Sequence, residues 1–403
     1  MRRFGIVLAV LLALAVLYGV THRRELRRVA FMATMFKGVD QTANFADMRS
    51  IFPVNEIRTA NPTELPTSGR TIEIPETYRW NGETRRSQAL LDETDTSGLL
   101  VLVDGEIVHE RYALTGGRDV RWISWSVAKS FVSALVGIAI DEGHIGSIEE
   151  PVTQYVPMLA RSAYDGVAIR DILQMSSGAA WDEDYGALDS DITRFGFTMA
   201  RGGSMDDFAA SLTRDREPGT YNRYNSIDTQ VLGMLLVRAT GRTLSSYLEE
   251  KIWQPLQMEN DAYWLLDDPG MELALGGLNV TLRDYARFGE LYRNHGRHAG
   301  RQVVPEAWAR ASVRAEAPHL QPGENPDSEW ILGYGYQWWL PGELPDEFSA
   351  IGVYNQFIYV SPQQRVVIAK TSANQAYGSS EETDRELETF AFFRAIAEAA
   401  SAP

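Results

Sequence analysis

Strand-forming segments lie at both ends of this 403-residue chain, and the region between them has helical periodicity. Residues 99–103 and 106–112 are apolar runs joined by Asp104-Gly105, a strong signal for a β-hairpin. Near the C-terminus, strand signals return over residues 334–339, 357–360 and 366–369. The pattern favours one sheet assembled from the two ends of the chain, with a helical layer inserted between them.

Helical segments punctuated by proline and glycine fill the middle of the chain, over residues 167–175, 205–212, 229–239 and 243–252. A last helix is predicted over residues 386–399. We therefore expect an α+β fold in which an antiparallel sheet is flanked by helices. Its α/β layer would come from residues 76–150 and 285–403 and its all-helical layer from residues 151–284, with a site between the layers.

Composition excludes several classes of function. The formal net charge is −16, and so acidic a chain repels nucleic-acid phosphates. Cysteine is absent, which rules out disulfides, thiolate metal sites and cysteine nucleophiles. The six histidines form no His-x-x-x-His pair, and neither Gly-x-Ser-x-Gly nor a phosphate-binding glycine loop occurs. The sequence therefore predicts no metal, no cofactor and no nucleic-acid partner.

The N-terminus carries an uninterrupted apolar run of 17 residues, from Phe4 to Val20, with arginines on both sides. At about 1.5 Å per residue this run is a marginal membrane span. Because the residues after it make a poor cleavage site, an uncleaved anchor over residues 1–22 is favoured over a signal peptide. The proline-rich residues 23–75 would form a linker that packs on the body, residues 76–403.

Ser126 and Lys129 form a Ser-x-x-Lys arrangement at the start of a predicted helix, residues 126–141. Residues three apart share a helix face, so the lysine amine would lie beside the serine hydroxyl. A lysine becomes a base only if its pKa falls, and apolar neighbours such as Phe131 and Val132 supply the desolvation. Lysine occurs only four times in the chain, and the other residues of this helix are so apolar that a charged side chain among them is unfavourable. We predict Ser126 as nucleophile and Lys129 as base, against the structural alternative of a helix-start serine beside an ordinary lysine.

A tight loop that ends in Tyr224-Asn225-Ser226 follows, 98 residues after the candidate nucleophile. A tyrosine beside a cationic lysine can reach phenolate character and shuttle a proton to the leaving group. Taken alone, the tripeptide is more often a turn and a helix N-cap. We predict that Tyr224 acts with Lys129, and that Ser226 supports them by polarising one or the other.

The order of these motifs resembles the serine β-lactamase and penicillin-binding superfamily, and more narrowly its class C-like esterase branch. Ser126-x-x-Lys129 matches the nucleophile motif, Tyr224-Asn225-Ser226 matches the tyrosine motif, and residues 171–178 are also typical of that branch. The resemblance covers residues 75–400 and implies a β-lactamase/transpeptidase-like fold with acyl-enzyme chemistry.

Two further segments are most similar to 6-aminohexanoate-dimer (nylon oligomer) hydrolases. Residues 181–185 end in Tyr185, which matches a loop tyrosine that closes over an amide substrate in that group, although a solvated helix terminus explains this loop equally well on composition. The second segment is residues 352–356. The resemblance implies a set of substrate-binding residues, namely Tyr185, Gly352, Tyr354 and Asn355.

The superfamily's third motif, Lys-Thr-Gly on a strand beside the site, is missing from the matching residues 352–354. At that position the backbone N–H of Val353 would hold the oxyanion together with that of Ser126. Loss of the usual lysine argues against recognition of a β-lactam carboxylate.

Lys370 is a candidate substitute for the missing lysine. In a hairpin that turns at Pro362 and Gln363, it would fall opposite Gln356, near the same edge of the site. The favoured interpretation is nevertheless a strand-end lysine that reaches water.

We therefore expect a serine hydrolase that cleaves a small ester or amide through an acyl-enzyme on Ser126. Two alternatives stay open: a β-lactamase or D-Ala-D-Ala peptidase, and a non-catalytic penicillin-binding or sensor domain. The resemblance implies a bacterial protein whose relatives usually work outside the cytoplasmic membrane. Together with the apolar run, this predicts an inner-membrane anchor and a periplasmic body, although the arginines after the run favour the opposite side. The oligomeric state is not predicted.

Overall fold

The computed structural model describes residues 2–38, 40–379 and 385–401, so Met1 and Pro403, the outer limits of the predicted segments, lie outside the described residues. The helices, numbered in chain order, are α1 Arg2–Thr21, α2 Arg23–Thr34, α3 Gln41–Ala46, α4 Ser87–Glu93, α5 Ala128–Asp141, α6 Ile169–Leu173, α7 Asp191–Ala200, α8 Met205–Ala210, α9 Ser226–Thr240, α10 Leu244–Leu248, α11 Leu282–Arg293, α12 Glu306–Ser312 and α13 Glu386–Ser401. The strands are β1 Val54–Ile57, β2 Thr77–Trp80, β3 Glu83–Arg86, β4 Thr96–Val103, β5 Glu106–Tyr112, β6 Trp122–Ile123, β7 Ala262–Leu265, β8 Leu278–Val280, β9 Arg297–His298, β10 Arg301–Gln302, β11 Gly333–Tyr334, β12 Trp339–Leu340, β13 Phe348–Gly352, β14 Gln356–Ser361 and β15 Val366–Ser372.

The main sheet has seven strands in the order β11-β12-β13-β14-β15-β4-β5, and each neighbouring pair is antiparallel. The pairing of β15 with β4 joins the C-terminal strands to the N-terminal hairpin. Helices of the middle segment, α6 to α10, lie between these two groups of strands in the chain. The predicted α+β fold, with one antiparallel sheet built from both ends and flanked by helices, is confirmed.

Side chains alternate between the two faces of this sheet, and each face has its own core. Leu100 and Val367 belong to the core on the side of α11. Gly289 of α11 lets this helix lie close to the sheet, since a Cβ on Gly289 would lie 2.6 Å from a side chain of β14. Val101 and Ile368 face the opposite way, into the core that includes α13. The sheet is therefore covered by helices on both sides.

The helix α5 is buried along almost its whole length, as its lack of a polar face predicts. It packs against α9 of the helical layer, and its Phe131 ring stacks on Phe288 of α11 with centroids 3.7 Å apart. The N-terminus of α5 therefore lies at the boundary between the two layers of the molecule.

The predicted hairpin and the predicted strand over residues 334–339 had different outcomes. Asp104 and Gly105 have φ values of +51° and +81°, so they form the tight turn expected between β4 and β5. The segment 334–339, in contrast, is interrupted between β11 and β12. Gln337 has φ +62°, and its buried amide accepts a hydrogen bond from Thr229. The prediction of one continuous strand is wrong because this side chain turns inward to hold the helical layer.

A second, four-stranded sheet has the order β1-β7-β8-β6 and leads directly to the candidate nucleophile. Residues 23–75 contribute α2, α3 and β1, and Val54 of β1 pairs with Leu265 of β7. The buried Arg28 of α2 forms an ion pair with Asp268. These N-terminal elements thus pack on the rest of the chain.

The expectation of a membrane anchor at residues 1–22, and of a periplasmic body anchored by it, is wrong. A helix needs about 20 consecutive, mostly apolar residues to cross a bilayer. Among the residues that the structure describes, no helix meets the requirement of length and apolar character for such a span.

Candidate active site

Ser126 lies where the second sheet meets the buried helix α5. A 3₁₀ turn over Trp125–Val127 connects the end of β6 to the first residue of α5. Trp125 has φ +43°, a left-handed conformation that costs a non-glycine residue on the order of 1–3 kcal/mol. This strained turn places the Ser126 side chain beside Lys129 and at the wall of a cavity.

Lys129 is completely buried within hydrogen-bonding distance of two serines. Its Nζ lies 3.1 Å from the hydroxyl oxygens of both Ser126 and Ser226, and it also donates a 2.7 Å hydrogen bond to the Leu275 carbonyl. Burial lowers the pKa of Lys129 to about 7, and the charge of Glu183 opposes this shift only in part. Near neutral pH the amine is therefore available in its unprotonated form.

Ser226, the first residue of α9, is fixed by Glu183. Its hydroxyl donates a 2.5 Å hydrogen bond to the Glu183 carboxylate, and its backbone N–H donates a second bond of 3.0 Å. The Tyr185 hydroxyl and the Trp181 indole N–H donate to the same carboxylate. Because four donors converge on one side chain, Glu183 ties the loop 181–185 to the start of α9.

Tyr224 completes the group around the candidate nucleophile. It lines the same cavity as Ser126, and the Lys129 amine lies 5.4 Å from the centre of its ring. Its ring also stacks on Trp339, with centroids 5.2 Å apart. Burial raises the pKa of Tyr224 well above its usual value, and the neighbouring Ser126 hydroxyl offsets this only in part. The direction of this shift favours the neutral hydroxyl over the expected phenolate.

The turn between β13 and β14 brings Val353 to the wall of the same cavity. Gly352 permits this close approach, since a Cβ on it would lie 2.6 Å from the Ser124 carbonyl oxygen. The side-chain amide of Gln356 donates hydrogen bonds to the carbonyls of Val353 (3.1 Å) and Tyr354 (3.0 Å). The carbonyls of this turn are therefore held from inside the fold.

The cavity has a volume of about 640 Å³ and extends from the Ser126 hydroxyl toward the loop 181–185. Its walls are aromatic and acidic, and among the described residues that line it a single cation is present, Arg223, which pairs with Asp215 at 2.9 Å. The described residues that line it are Ser126, Trp181, Asp182, Glu183, Asp184, Tyr185, Arg223, Tyr224, Glu329, Trp330, Trp339, Ile351, Val353, Tyr377, Gly378, Ser379 and Glu386.

Of the residues predicted to bind substrate, Tyr185 lines this cavity, and the other three lie behind its wall. Gly352 packs against the backbone of Ser124. The Tyr354 ring is stacked on Phe36, and the buried Asn355 accepts a 2.8 Å hydrogen bond from Asn374. The structure thus places Gly352, Tyr354 and Asn355 where they support the turn from outside the cavity.

Lys370 does not reach water, so the favoured interpretation of this residue is wrong. It pairs with Phe357 rather than with Gln356, and it is 1 % exposed. Its amine donates to the hydroxyls of Thr94 (3.1 Å) and Ser372 (2.5 Å), and burial lowers its pKa to about 7. Lys370 is also not among the described residues that line the cavity.

Sequence reasoning missed two residues that organise this region, Glu183 and Gln356. Glu183 belongs to the acidic-aromatic loop that the resemblance singled out, but its contact with Ser226 depends on tertiary folding. Gln356 ends the segment 352–356 of the resemblance and is the expected neighbour of Lys370, but the sequence predicts no role for it. A signal for it exists in the chain, because a glutamine that follows a turn in an apolar strand needs internal hydrogen-bond partners.

Comparison with known proteins decides the family. The family model described as Beta-lactamase matches residues 87–391, which is most of the chain. The chain belongs to the Beta-lactamase family. The resemblance to the β-lactamase and penicillin-binding superfamily is therefore confirmed.

Relatives within the Beta-lactamase family include hydrolases of small molecules. The chain is 33 % identical over 291 residues to the 6-aminohexanoate-dimer hydrolase of Paenarthrobacter ureafaciens. The matched region covers 70 % of this chain and 74 % of the relative. This similarity agrees with the narrower resemblance found in residues 181–185 and 352–356.

Solved structures of the same fold extend over most of the chain. The structure named "Putative 6-aminohexanoate-dimer hydrolase from Bacillus anthracis" has a TM-score of 0.81 and 21 % identity, and covers 92 % of this chain and 97 % of its own. A family VIII carboxylesterase has a TM-score of 0.57 and 17 % identity, and covers 77 % of this chain and 95 % of its own. The chain thus has the fold of a hydrolase family with a β-lactamase architecture.

Proposed function

We propose that this protein is a serine hydrolase that cleaves a small ester or amide through an acyl-enzyme on Ser126. The observation that carries the proposal is the convergence of three side chains. Ser126 and Tyr224 line one cavity, and the Lys129 amine behind them lies 3.1 Å from the Ser126 hydroxyl and 5.4 Å from the centre of the Tyr224 ring. Membership of a hydrolase family supports it.

The hydrogen bonds of Lys129 support its role as general base. A neutral amine has two N–H donors and one lone pair. One donor goes to the Leu275 carbonyl, and the other goes to Ser226, whose own proton is committed to Glu183. The lone pair is left for the hydroxyl proton of Ser126, which is the arrangement that activates a serine.

The reaction then follows from this assignment. As the Ser126 oxygen bonds to the substrate carbonyl carbon, its proton passes to Lys129, and the backbone N–H groups of Ser126 and Val353 hold the oxyanion. When the bond to the leaving group breaks, the Tyr224 hydroxyl donates its proton to that group and regains one from Lys129. Water then attacks the acyl-enzyme by the same route in reverse and releases the acid.

The walls of the cavity favour small, apolar or cationic substrates over anionic ones. Trp330, Trp339 and Tyr224 offer aromatic surface. Within the described part of the lining, five carboxylates are present against one guanidinium, which is itself paired. The names of the relatives, a 6-aminohexanoate-dimer hydrolase and a carboxylesterase, support the choice of an amide or ester bond.

A β-lactamase or D-Ala-D-Ala peptidase would share the nucleophile but needs a cation for the substrate carboxylate. Lys370, the candidate for that task, is buried behind the wall. We therefore expect turnover of nitrocefin far below that of p-nitrophenyl esters. Comparable turnover of both would promote this alternative, and a burst of product without a steady state would favour a non-catalytic acyl-binding domain.

The test of the proposal is active-site labelling and turnover with Ser126→Ala. We expect the variant to lose labelling by a fluorophosphonate and to lose p-nitrophenyl acetate hydrolysis by about 10³-fold or more. Ser133→Ala is the matched control, because its buried hydroxyl lies in the same helix and has no hydrogen-bond partner among the described residues. Labelling of Ser126→Ala at wild-type level would refute the assignment.

A further inference from the structure

An aromatic cluster lies behind the candidate active site, and two of its rings come from the N-terminal part of the chain. We define the aromatic cluster as Phe36, Phe45, Trp125 and Tyr354. Phe45 is fully buried, with its ring edge-on to both Trp125 (centroids 5.2 Å apart) and Tyr354 (5.3 Å). Phe36 stacks on Tyr354 at 5.0 Å and contacts Trp125 at 5.5 Å.

Two members of the aromatic cluster, Trp125 and Tyr354, are next in sequence to the two proposed oxyanion donors. Trp125 precedes Ser126, and Tyr354 follows Val353. Both carry backbone strain, since their φ values are +43° and +63°. Their own rings are 6.0 Å apart, and Phe45 packs against both of them. Phe45 and Phe36 thus both bridge the two segments whose separation defines the proposed oxyanion site, and Phe45 is the fully buried one of the two.

This buried ring comes from outside the part of the chain that defines the family. Phe45 belongs to α3, whereas the family match begins at residue 87. The helix is well fixed, because it packs on β6, and the Thr42 carbonyl accepts a 2.7 Å hydrogen bond from Thr115. It therefore has the rigidity that a positioning element needs.

We propose that Phe45 is a positioning residue that sets the spacing of the backbone N–H groups of Ser126 and Val353, so that α3 is a working part of the catalytic unit. The inference rests on the proposed function. Oxyanion donors act only when they are fixed at the right distance from the developing charge, and a shift of less than 1 Å is costly. A cavity at Phe45 would let the two strained turns relax independently.

The test uses Phe45→Ala in the full chain. We expect kcat for p-nitrophenyl acetate to fall by about 10- to 100-fold, with KM changed by less than about threefold. Affinity for an arylboronic acid, whose tetrahedral adduct with serine places an oxygen in the oxyanion site, should fall in parallel with kcat/KM. Phe45→Leu, which fills part of the space, should restore part of kcat and part of the boronate affinity. It also replaces the alanine variant in the test if that variant does not fold.

The matched control is Phe52→Ala. Phe52 is also buried in the N-terminal part of the chain, but its ring packs edge-on against Phe31 at 6.2 Å. We expect this variant to lose thermal stability much as Phe45→Ala does, while it keeps wild-type kcat and boronate affinity.

Two outcomes overturn the inference, and they are distinguishable. If Phe45→Ala and Phe45→Leu melt earlier but keep kcat and boronate affinity, then Phe45 is only a packing residue and the proposed function stands. If Ser126→Ala keeps wild-type activity, the proposed function itself fails, whatever the Phe45 variants do.

Discussion

The Ser226 hydroxyl donates a 2.5 Å hydrogen bond to the Glu183 carboxylate, which makes the serine an acceptor toward its other neighbour. That neighbour is the Lys129 amine, 3.1 Å away. An ionised carboxylate can only accept hydrogen bonds, so it fixes the direction of the whole chain of bonds. We therefore expect Glu183 to set the direction in which the lone pair of Lys129 points, although no hydrogen bond among the described residues joins Glu183 to Ser126 or Lys129.

Replacement of Glu183 by glutamine tests whether the carboxylate sets the direction of these hydrogen bonds. An amide can donate as well as accept, so Ser226 is no longer forced to accept from Lys129. We expect kcat to fall by about tenfold, as for the loss of one charge-assisted hydrogen bond. Because the charge of Glu183 raises the pKa of Lys129, the acidic limb of the pH–rate profile should also move to lower pH.

The pH–rate profile distinguishes this role from mere support of the loop 181–185. Asp191→Asn is the control, because Asp191 accepts a 3.0 Å hydrogen bond from the backbone of Asp182 without reaching Ser226. We expect it to leave the acidic limb where it is. An acidic limb that stays in place in Glu183→Gln would count against electrostatic coupling between Glu183 and Lys129.

The wild-type pH dependence follows from the burial of Lys129. In the proposed mechanism the base is the unprotonated amine of Lys129, and burial lowers the pKa of this amine to about 7. We expect kcat/KM to rise about tenfold per pH unit below 7 and to level off above it. The pKa of Tyr224 is raised well above its usual value, so its titration should cause no decline up to pH 9. Stopped assays from pH 5 to 9 measure the profile, and a rate independent of pH between 5 and 7 would contradict this role of Lys129.

The parts of the site that depend on local geometry could be predicted from the sequence. Ser126 and Lys129 are three residues apart across the 3₁₀ turn and the first turn of α5, and their 3.1 Å contact follows from this helical spacing and from burial. Tyr224 is predicted beside them from the chemistry of a tyrosine near a lysine and from the resemblance, because no local rule relates residues so far apart in the chain.

Strand register illustrates why the rest could not be predicted. The expected hairpin put Lys370 opposite Gln356, but the loop 362–365, in which Arg365 has φ +59°, makes Ser361 pair with Val366. This moves Lys370 opposite Phe357. A shift of one residue in the pairing of two strands reverses the face on which every side chain lies. The length of the loop therefore decides whether the Lys370 side chain lies toward the cavity or in the core.

Gly352→Ala tests the close approach of β13 to the nucleophile turn. The added Cβ would lie 2.6 Å from the Ser124 carbonyl oxygen, which is backbone and cannot move aside easily. We expect the turn that carries Val353 to be displaced, and kcat to fall by about tenfold or more with a smaller effect on KM. Steady-state kinetics measure the change. Gly69→Ala is the control, since a Cβ there meets nothing within 4 Å, and equal kinetics of the two variants would contradict the prediction.

Lys370→Met tests the cost of burying a second amine. Burial lowers the pKa of Lys370 to about 7, whereas an unfolded lysine has a pKa near 10.5. Between these values the unfolded chain binds one more proton than the folded chain, so this residue makes the wild type more stable as pH rises, by at most about 1.4 kcal/mol per pH unit. The methionine variant lacks this contribution.

We therefore expect the free energy of unfolding of the wild type, relative to that of the variant, to increase from pH 7 to pH 10 in urea titrations. The difference should flatten below pH 7, where Lys370 is protonated in both states. A difference that stays constant from pH 7 to pH 10 would mean that the buried amine remains charged, held by the Thr94 and Ser372 hydroxyls.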